Sequence, residues 1–140
     1  MILQVERAHL LRLVIPVPVL HRAQGDPASI GSLERRAYAW PLKAFRDRTA
    51  PLALARMVPT GPQHPTSPYM RKVQSWGKTF RGPVRLVWGL KDPILGRALK
   101  NMRGLFPDAL VTETQAGHFL QEEVPEALAE AILAVVKGRS

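Results

Sequence analysis

Two side chains in this sequence have the type and setting for proton chemistry. Asp92 lies in Gly89-Leu90-Lys91-Asp92-Pro93, and His118 lies in Ala116-Gly117-His118-Phe119. A carboxylate that holds an imidazole Nδ1–H fixes the ring's tautomer, steadies the imidazolium and leaves Nε2 free as a general base. Each residue also has a plainer reading. An aspartate before a proline is well suited to cap the helix that follows, and a Gly-His pair is an ordinary loop sequence. The choice depends on whether the fold brings the two loops together.

The elements around them predict that it does. Val84-Arg85-Leu86-Val87-Trp88 is a short β-branched and aromatic run closed by Gly89, as a buried strand requires. Leu95, Leu99, Met102 and Phe106 then recur at helical spacing up to Pro107. Ala109 to Thr114 reads as a second strand, followed by the loop Gln115 to His118. Pro125 sits in the first turn of a helix through about Val136, with Leu128, Ile132 and Val135 as its apolar stripe. Glu122, Glu123 and Glu126 crowd the start of that helix, where its dipole favours anions. The order strand–helix–strand–helix implies an α/β fold with parallel strands. Asp92 and His118 then both lie just past the carboxyl ends of strands, where functional groups of such sheets gather. Neighbouring strands run about 4.8 Å apart, which puts a carboxylate–imidazole hydrogen bond within reach. Gly117 allows the sharp turn that points the ring back over the sheet.

Residues before Gly82 read differently. Eight prolines between residues 27 and 83 leave room only for short helices, with Arg35 to Lys43, Leu52 to Met57 and Met70 to Phe80 (ended near Gly77) as the candidates. Thr60 to Pro68 is expected to be loop. Leu10 to Leu20 could supply a third strand, confined to an edge by Pro16 and Pro18. A sheet of two or three parallel strands is a fragment of a larger architecture.

Composition narrows the function classes. A length of 140 residues suits one domain, and 46% apolar with 22% charged residues is ordinary for a soluble globular protein. The absence of cysteine excludes disulfides, thiolate metal sites and a cysteine nucleophile. His9, His21 and His64 lack a second ligand at i+3 or i+4, so no metal site is expected. The apolar stretch Leu13 to Leu20 is too short for a membrane span. With Arg12 in front and no cleavage site after, it is also a poor signal peptide, so a soluble, cytoplasmic protein is expected. The net charge of +9 is concentrated in residues 1–91, which carry fifteen Lys/Arg against four Asp/Glu. That asymmetry keeps open a different class of function, a basic module that binds nucleic acid or an acidic protein. No recognition helix or basic–aromatic repeat organises these charges, which makes nucleic acid the weaker reading.

The segments Val84 to Leu99, Leu105 to Ile132 and, more loosely, Ala37 to Pro68 resemble the C-terminal part of the α/β-hydrolases, nearest to the haloalkane dehalogenase and epoxide hydrolase group. The resemblance implies that Asp92, in a W-G-x-x-D-P setting, is the acid and His118, in G-H-F, the base of a nucleophile–histidine–acid triad. It implies a partial parallel sheet of hydrolase type in residues 82–140, preceded by a short, proline-rich, helical cap remnant in residues 37–81. Residues 1–36 match nothing in that family and could hold one strand and the cap entry. The implied reaction is cofactor-independent hydrolysis of an ester, epoxide or carbon–halogen bond in a small-molecule substrate. The nucleophile elbow G-x-[SD]-x-G is missing. None of Ser29, Ser32, Ser67, Ser75 and Ser140 has glycine two residues away on both sides, and no aspartate fits. The expectation is a truncated or split hydrolase, inactive alone, whose partner is a chain carrying the missing N-terminal half. Trp88 is expected in the core or pocket wall rather than as a halide donor, and Tyr38 and Tyr69 receive no role.

Overall fold

The structure is a computed structural model and describes residues 17–138. Its element order follows the prolines and the apolar runs. Two short 3-10 turns, Val17–Ala23 and Pro27–Ser29, lead into helix α1, Ser32–Ala39. Further 3-10 turns at Trp40–Leu42 and Phe45–Arg48 precede α2, Thr49–Met57, and then α3, Ser67–Thr79. Strand β1 is Arg85–Gly89, and a 3-10 turn at Gly96–Ala98 opens α4, Leu99–Leu105. Strand β2 is Leu110–Thr114, and a 3-10 turn at Leu120–Glu122 precedes α5, Pro125–Val136. Among the described residues no helix is long and apolar enough to cross a membrane.

The two strands pair in parallel, with Arg85 opposite Leu110 and Gly89 opposite Thr114. The chain is therefore α/β with a two-stranded parallel sheet among the described residues. Helix α5 packs against β1. Leu86 from β1, Leu99 from α4, Ala116, Leu20 and Ile30 are buried, and Ile30 is only 1% exposed. That is a small core for a chain of this length. Large apolar side chains stand in solvent on α3 (Tyr69, Met70, Val73 and Trp76) and on α5 (Ile132, Leu133 and Val136).

Several boundaries differ from expectation for local reasons. Helix α1 starts at Ser32 rather than Arg35 because the Glu34 carboxylate reaches back to accept the Gly31 N–H at 2.9 Å. It gives way to a 3-10 turn where Pro41 cannot donate. Helix α3 takes in Ser67 and Pro68, since proline is tolerated in a first turn. It also runs past Gly77, which is buried under Leu105; a side chain there would press into Leu105 at 3.0 Å. The helix expected from Leu95 is a 3-10 turn up to Ala98 and α-helical only from Leu99. Of the expected edge strand at Leu10 to Leu20, residues 17–20 form part of a 3-10 turn instead, and residues 10–16 lie outside the described residues.

Candidate active site

The strand ends carry the two chemical loops out side by side. Beyond the β1–β2 ladder the pairing continues, with Leu90 N–H donating to Thr114 O at 2.9 Å and Lys91 N–H to Ala116 O at 3.1 Å. The Thr114 hydroxyl donates to Trp88 O at 3.1 Å and bridges the strands at their last residues. Gly89 makes this approach possible. A methyl on it would meet the carbonyl oxygens of Ala116 and Gly117, each at 2.5 Å.

Asp92 divides its two oxygens between two tasks. Oδ1 accepts the N–H groups of Ile94 at 2.7 Å and Leu95 at 3.0 Å, which shapes the turn before α4. Oδ2 lies 3.0 Å from His118 Nδ1. One oxygen thus shapes the turn while the other faces the imidazole. The Asp92 side chain is 5% exposed and that of His118 28%. Burial pushes the Asp92 carboxyl up, but the hydrogen bond from His118 and those from Leu95 and Ile94 outweigh it and hold it below the ordinary aspartate value. An ionised carboxylate only accepts, so Nδ1 carries the proton of that bond. Nε2 has no hydrogen-bond partner among the described residues. The Trp88 indole N–H donates to Gly96 O at 3.2 Å, tying β1 to the loop that holds Asp92.

The His118 loop rests on the segment before α1. His118 N–H donates to Ala23 O at 2.7 Å. The Gln24 side-chain amide accepts from Phe119 N–H at 2.9 Å and donates to Phe119 O at 3.1 Å, much as a strand neighbour would. Gly117 is required by contact: a methyl there would lie inside 3.0 Å of Ala23 O and of Gln24 Cα and C. The Phe119 ring stands edge-on to His118 at 5.2 Å between centroids and meets Tyr38 of α1 at 5.5 Å. The Tyr38 hydroxyl donates to Glu122 at 2.7 Å and accepts from Gln121 at 2.9 Å. Burial, reinforced by the bond to Glu122, pushes its phenol above the ordinary tyrosine value. A cavity of about 470 Å³ opens beside it, lined by Leu33, Glu34, Ala37, Tyr38, Pro41 and Glu122.

Gln24 is a site neighbour that the sequence did not reveal, and Tyr38, given no role there, is another. Tyr38 sits in an amphipathic helix without any distinguishing spacing, and nothing local to Gln24 marks it. Three other polar candidates lie in structural contacts, whereas His21 Nδ1 is buried without a hydrogen-bond partner among the described residues and His9 lies outside them. Ser29 donates to Asp26 O at 2.7 Å, Ser67 to Gly61 O at 2.8 Å, and His64 Nδ1 pairs with the Thr66 hydroxyl at 2.7 Å. Among the described residues no serine hydrogen-bonds to His118. No group of three or more His, Cys, Asp or Glu among them could hold a metal ion.

Comparison with known proteins adds the family context. A haloalkane dehalogenase of Mycolicibacterium paratuberculosis is 31% identical over 115 residues, 78% of this chain and 37% of its own length. LipZ of Mycobacterium tuberculosis, a proposed hydrolase, is 39% identical over 72 residues, 48% of this chain and 25% of its own. Ethanol acetyltransferase 1 of Wickerhamomyces ciferrii is 32% identical over 82 residues, 54% of this chain and 21% of its own. The chain thus spans between about a fifth and somewhat more than a third of the length of these relatives. No family model matches the sequence. No solved structure matches it either.

Proposed function

Because this chain is related over part of its length to the α/β-hydrolases, we propose that Asp92 and His118 are the acid and base of a hydrolase triad whose nucleophile lies outside these 140 residues. The observation that carries the reading is the bond from His118 Nδ1 to the buried, charge-stabilised Asp92, with Nε2 left unpaired among the described residues. In the complete site an aspartate would displace halide or open an epoxide to its alkoxide, or a serine would attack an ester with its proton passing through His118 Nε2 to the departing alkoxide, each forming a covalent ester intermediate. His118 Nε2 would then take a proton from water as the hydroxide attacks the carbonyl carbon of that intermediate, and Asp92 would steady the imidazolium until the proton passes to the oxygen released when the ester bond breaks. No cofactor enters this cycle.

The rest of the site is read the same way. Residues 37–81 act as the remnant of a helical cap, and Tyr38 brings that segment against the His118 loop. The partner is a polypeptide that supplies the remaining strands of the sheet beside β1 and covers the apolar face at Ile132, Leu133 and Val136. The setting is cytoplasmic. The substrate class stays broad, because relatives named for dehalogenation and for acetyl transfer both match.

The test is turnover of p-nitrophenyl acetate and of 1-bromobutane. The chain alone should show no turnover that depends on His118. Joined to an upstream segment carrying a G-x-[SD]-x-G elbow, it should gain turnover that His118→Ala abolishes. Turnover by the chain alone that disappears in His118→Ala would overturn the external nucleophile. Turnover in the joined protein that survives His118→Ala would overturn the base.

A further inference from the structure

We infer that Glu123 is a positioning residue that holds the His118 ring on Asp92, an inference that rests on the acid–base reading of that pair. Its carboxylate gathers three backbone donors from two segments far apart in sequence. Oε1 accepts from Gly117 N–H at 2.7 Å and Gly25 N–H at 3.0 Å, and Oε2 accepts from Asp26 N–H at 2.7 Å. Gly117 precedes His118 directly, and Gly25 and Asp26 follow Gln24, whose amide holds both backbone groups of Phe119.

Residues 117, 118 and 119 are therefore each tied to the 23–26 segment: through Glu123, through the Ala23 carbonyl and through Gln24. Nothing in this attachment is regular secondary structure. Beyond Ala116, whose carbonyl accepts from Lys91 N–H, the backbone of the His118 loop is held by one carboxylate, one amide and one carbonyl. Successive N–H groups converging on an anion form the kind of concavity that binds a fixed negative charge. Here the chain's own Glu123 fills it. Without it, three N–H groups lose their acceptor, and the hold on the ring beside Asp92 loosens, with Ala23 O and Gln24 left as the ties to the 23–26 segment.

The residue type is specific to this task. A glutamine keeps one oxygen for Gly117 and Gly25 but loses the negative charge and turns an NH2 against the Asp26 N–H. An aspartate is one methylene shorter and cannot reach both segments. Glu123 is also relieved of the role its sequence position suggested. It lies outside the first turn of α5, where Glu126 is the acidic residue, and Glu122 is engaged by Tyr38.

The experiment is hydrogen exchange and ¹⁵N NMR on the full 140-residue chain, in the native sequence, Glu123→Gln and Asp92→Asn. In the native sequence the amides of Gly25, Asp26 and Gly117 should be protected. In Glu123→Gln that protection should fall by about tenfold to a hundredfold at Asp26, which meets an NH2 in place of Oε2, and by less at Gly25 and Gly117, which keep an oxygen acceptor without its charge. The His118 Nδ1 proton should exchange faster in the same variant, while amides within β1 and β2 keep their protection. A merely structural role would not move the imidazole proton alone.

Exchange of the three native amides at free-peptide rates overturns the inference without any variant, should Glu123→Gln not fold. An unchanged Nδ1 proton in a folded Glu123→Gln, with Asp92→Asn eliminating it, also overturns it. If Asp92→Asn leaves the Nδ1 proton of the native chain unmoved, the acid–base reading is what fails, and protection of the three amides still decides whether Glu123 braces the loop.

Discussion

Replacing Gly117 by alanine tests how tightly the His118 loop is seated. The added methyl would fall inside 3.0 Å of three backbone atoms of Ala23 and Gln24, and ordinary contact begins at 3.4 Å. Backbone cannot swing aside as a flexible side chain can, so the loop and the 23–24 segment must part by roughly 1 Å. That separation stretches the His118 N–H bond to Ala23 O, 2.7 Å, and the paired bonds between Gln24 and Phe119, 2.9 and 3.1 Å. Overpacking costs about 1–3 kcal/mol, and each weakened hydrogen bond adds about 0.5–1.5 kcal/mol. A destabilisation of about 3 kcal/mol follows, a large share of the 5–15 kcal/mol typical of a domain. With a urea slope of about 2 kcal/mol per M, the unfolding midpoint should drop by about 1.5 M. The control is Gly104→Ala in α4, where the methyl meets nothing within 4 Å. It should stabilise by about 0.5–1 kcal/mol through helix propensity alone. A midpoint for Gly117→Ala within about 0.2 M of the native chain would refute the seating described here.

Asp92 titrates below its ordinary value when folded, so its contribution to stability is present above the unfolded aspartate pKa and fades as pH falls through the folded one. Asp92→Asn should therefore cost about 1.5–3 kcal/mol in urea unfolding at pH 7, and the gap from the native chain should narrow as pH falls below the ordinary aspartate value of about 3.9; a gap that does not narrow there would contradict the pairing. The Tyr38 phenol should ionise above the usual tyrosine value of about 10 in an ultraviolet titration, and Glu122→Gln should bring it down; a titration unmoved by that change would remove Glu122 from the environment of Tyr38. Tyr38→Phe keeps the contact with Phe119 while losing two hydrogen bonds, and should lower stability by about 1–2 kcal/mol in the same urea assay.

Local chemistry explains what was legible in the sequence. β-Branched and aromatic residues from Val84 to Trp88, closed by Gly89, marked β1 to within a residue, and Pro125 marked the start of α5. A parallel pairing of these strands then places Asp92 and His118 at neighbouring ends, and the structure has them 3.0 Å apart. Contacts whose partners lie far off in sequence were not legible. Gln24 meets Phe119 across 95 positions, Glu123 meets Gly25 across 98, and Tyr38 meets Glu122 across 84. Such polar contacts leave no periodicity to read. Glu123 even carried a misleading local signal, its nearness to a helix N-terminus, when its acceptors were already committed to loop amides. Helix limits shifted for reasons of one residue each: the Glu34 reach-back at α1 and the tolerated Pro68 at α3.

The claim at the centre of this account is that His118 is held by Asp92 as a base with Nε2 free. The most direct measurement is the tautomer of the neutral ring, from ¹⁵N NMR of chain labelled at histidine, in the native sequence and in Asp92→Asn. The account predicts an Nδ1–H tautomer in the native chain, with a downfield Nδ1 proton, and a shift toward Nε2–H when the amide replaces the carboxylate. An Nε2–H tautomer in the native chain, or a ring indifferent to Asp92→Asn, would contradict it.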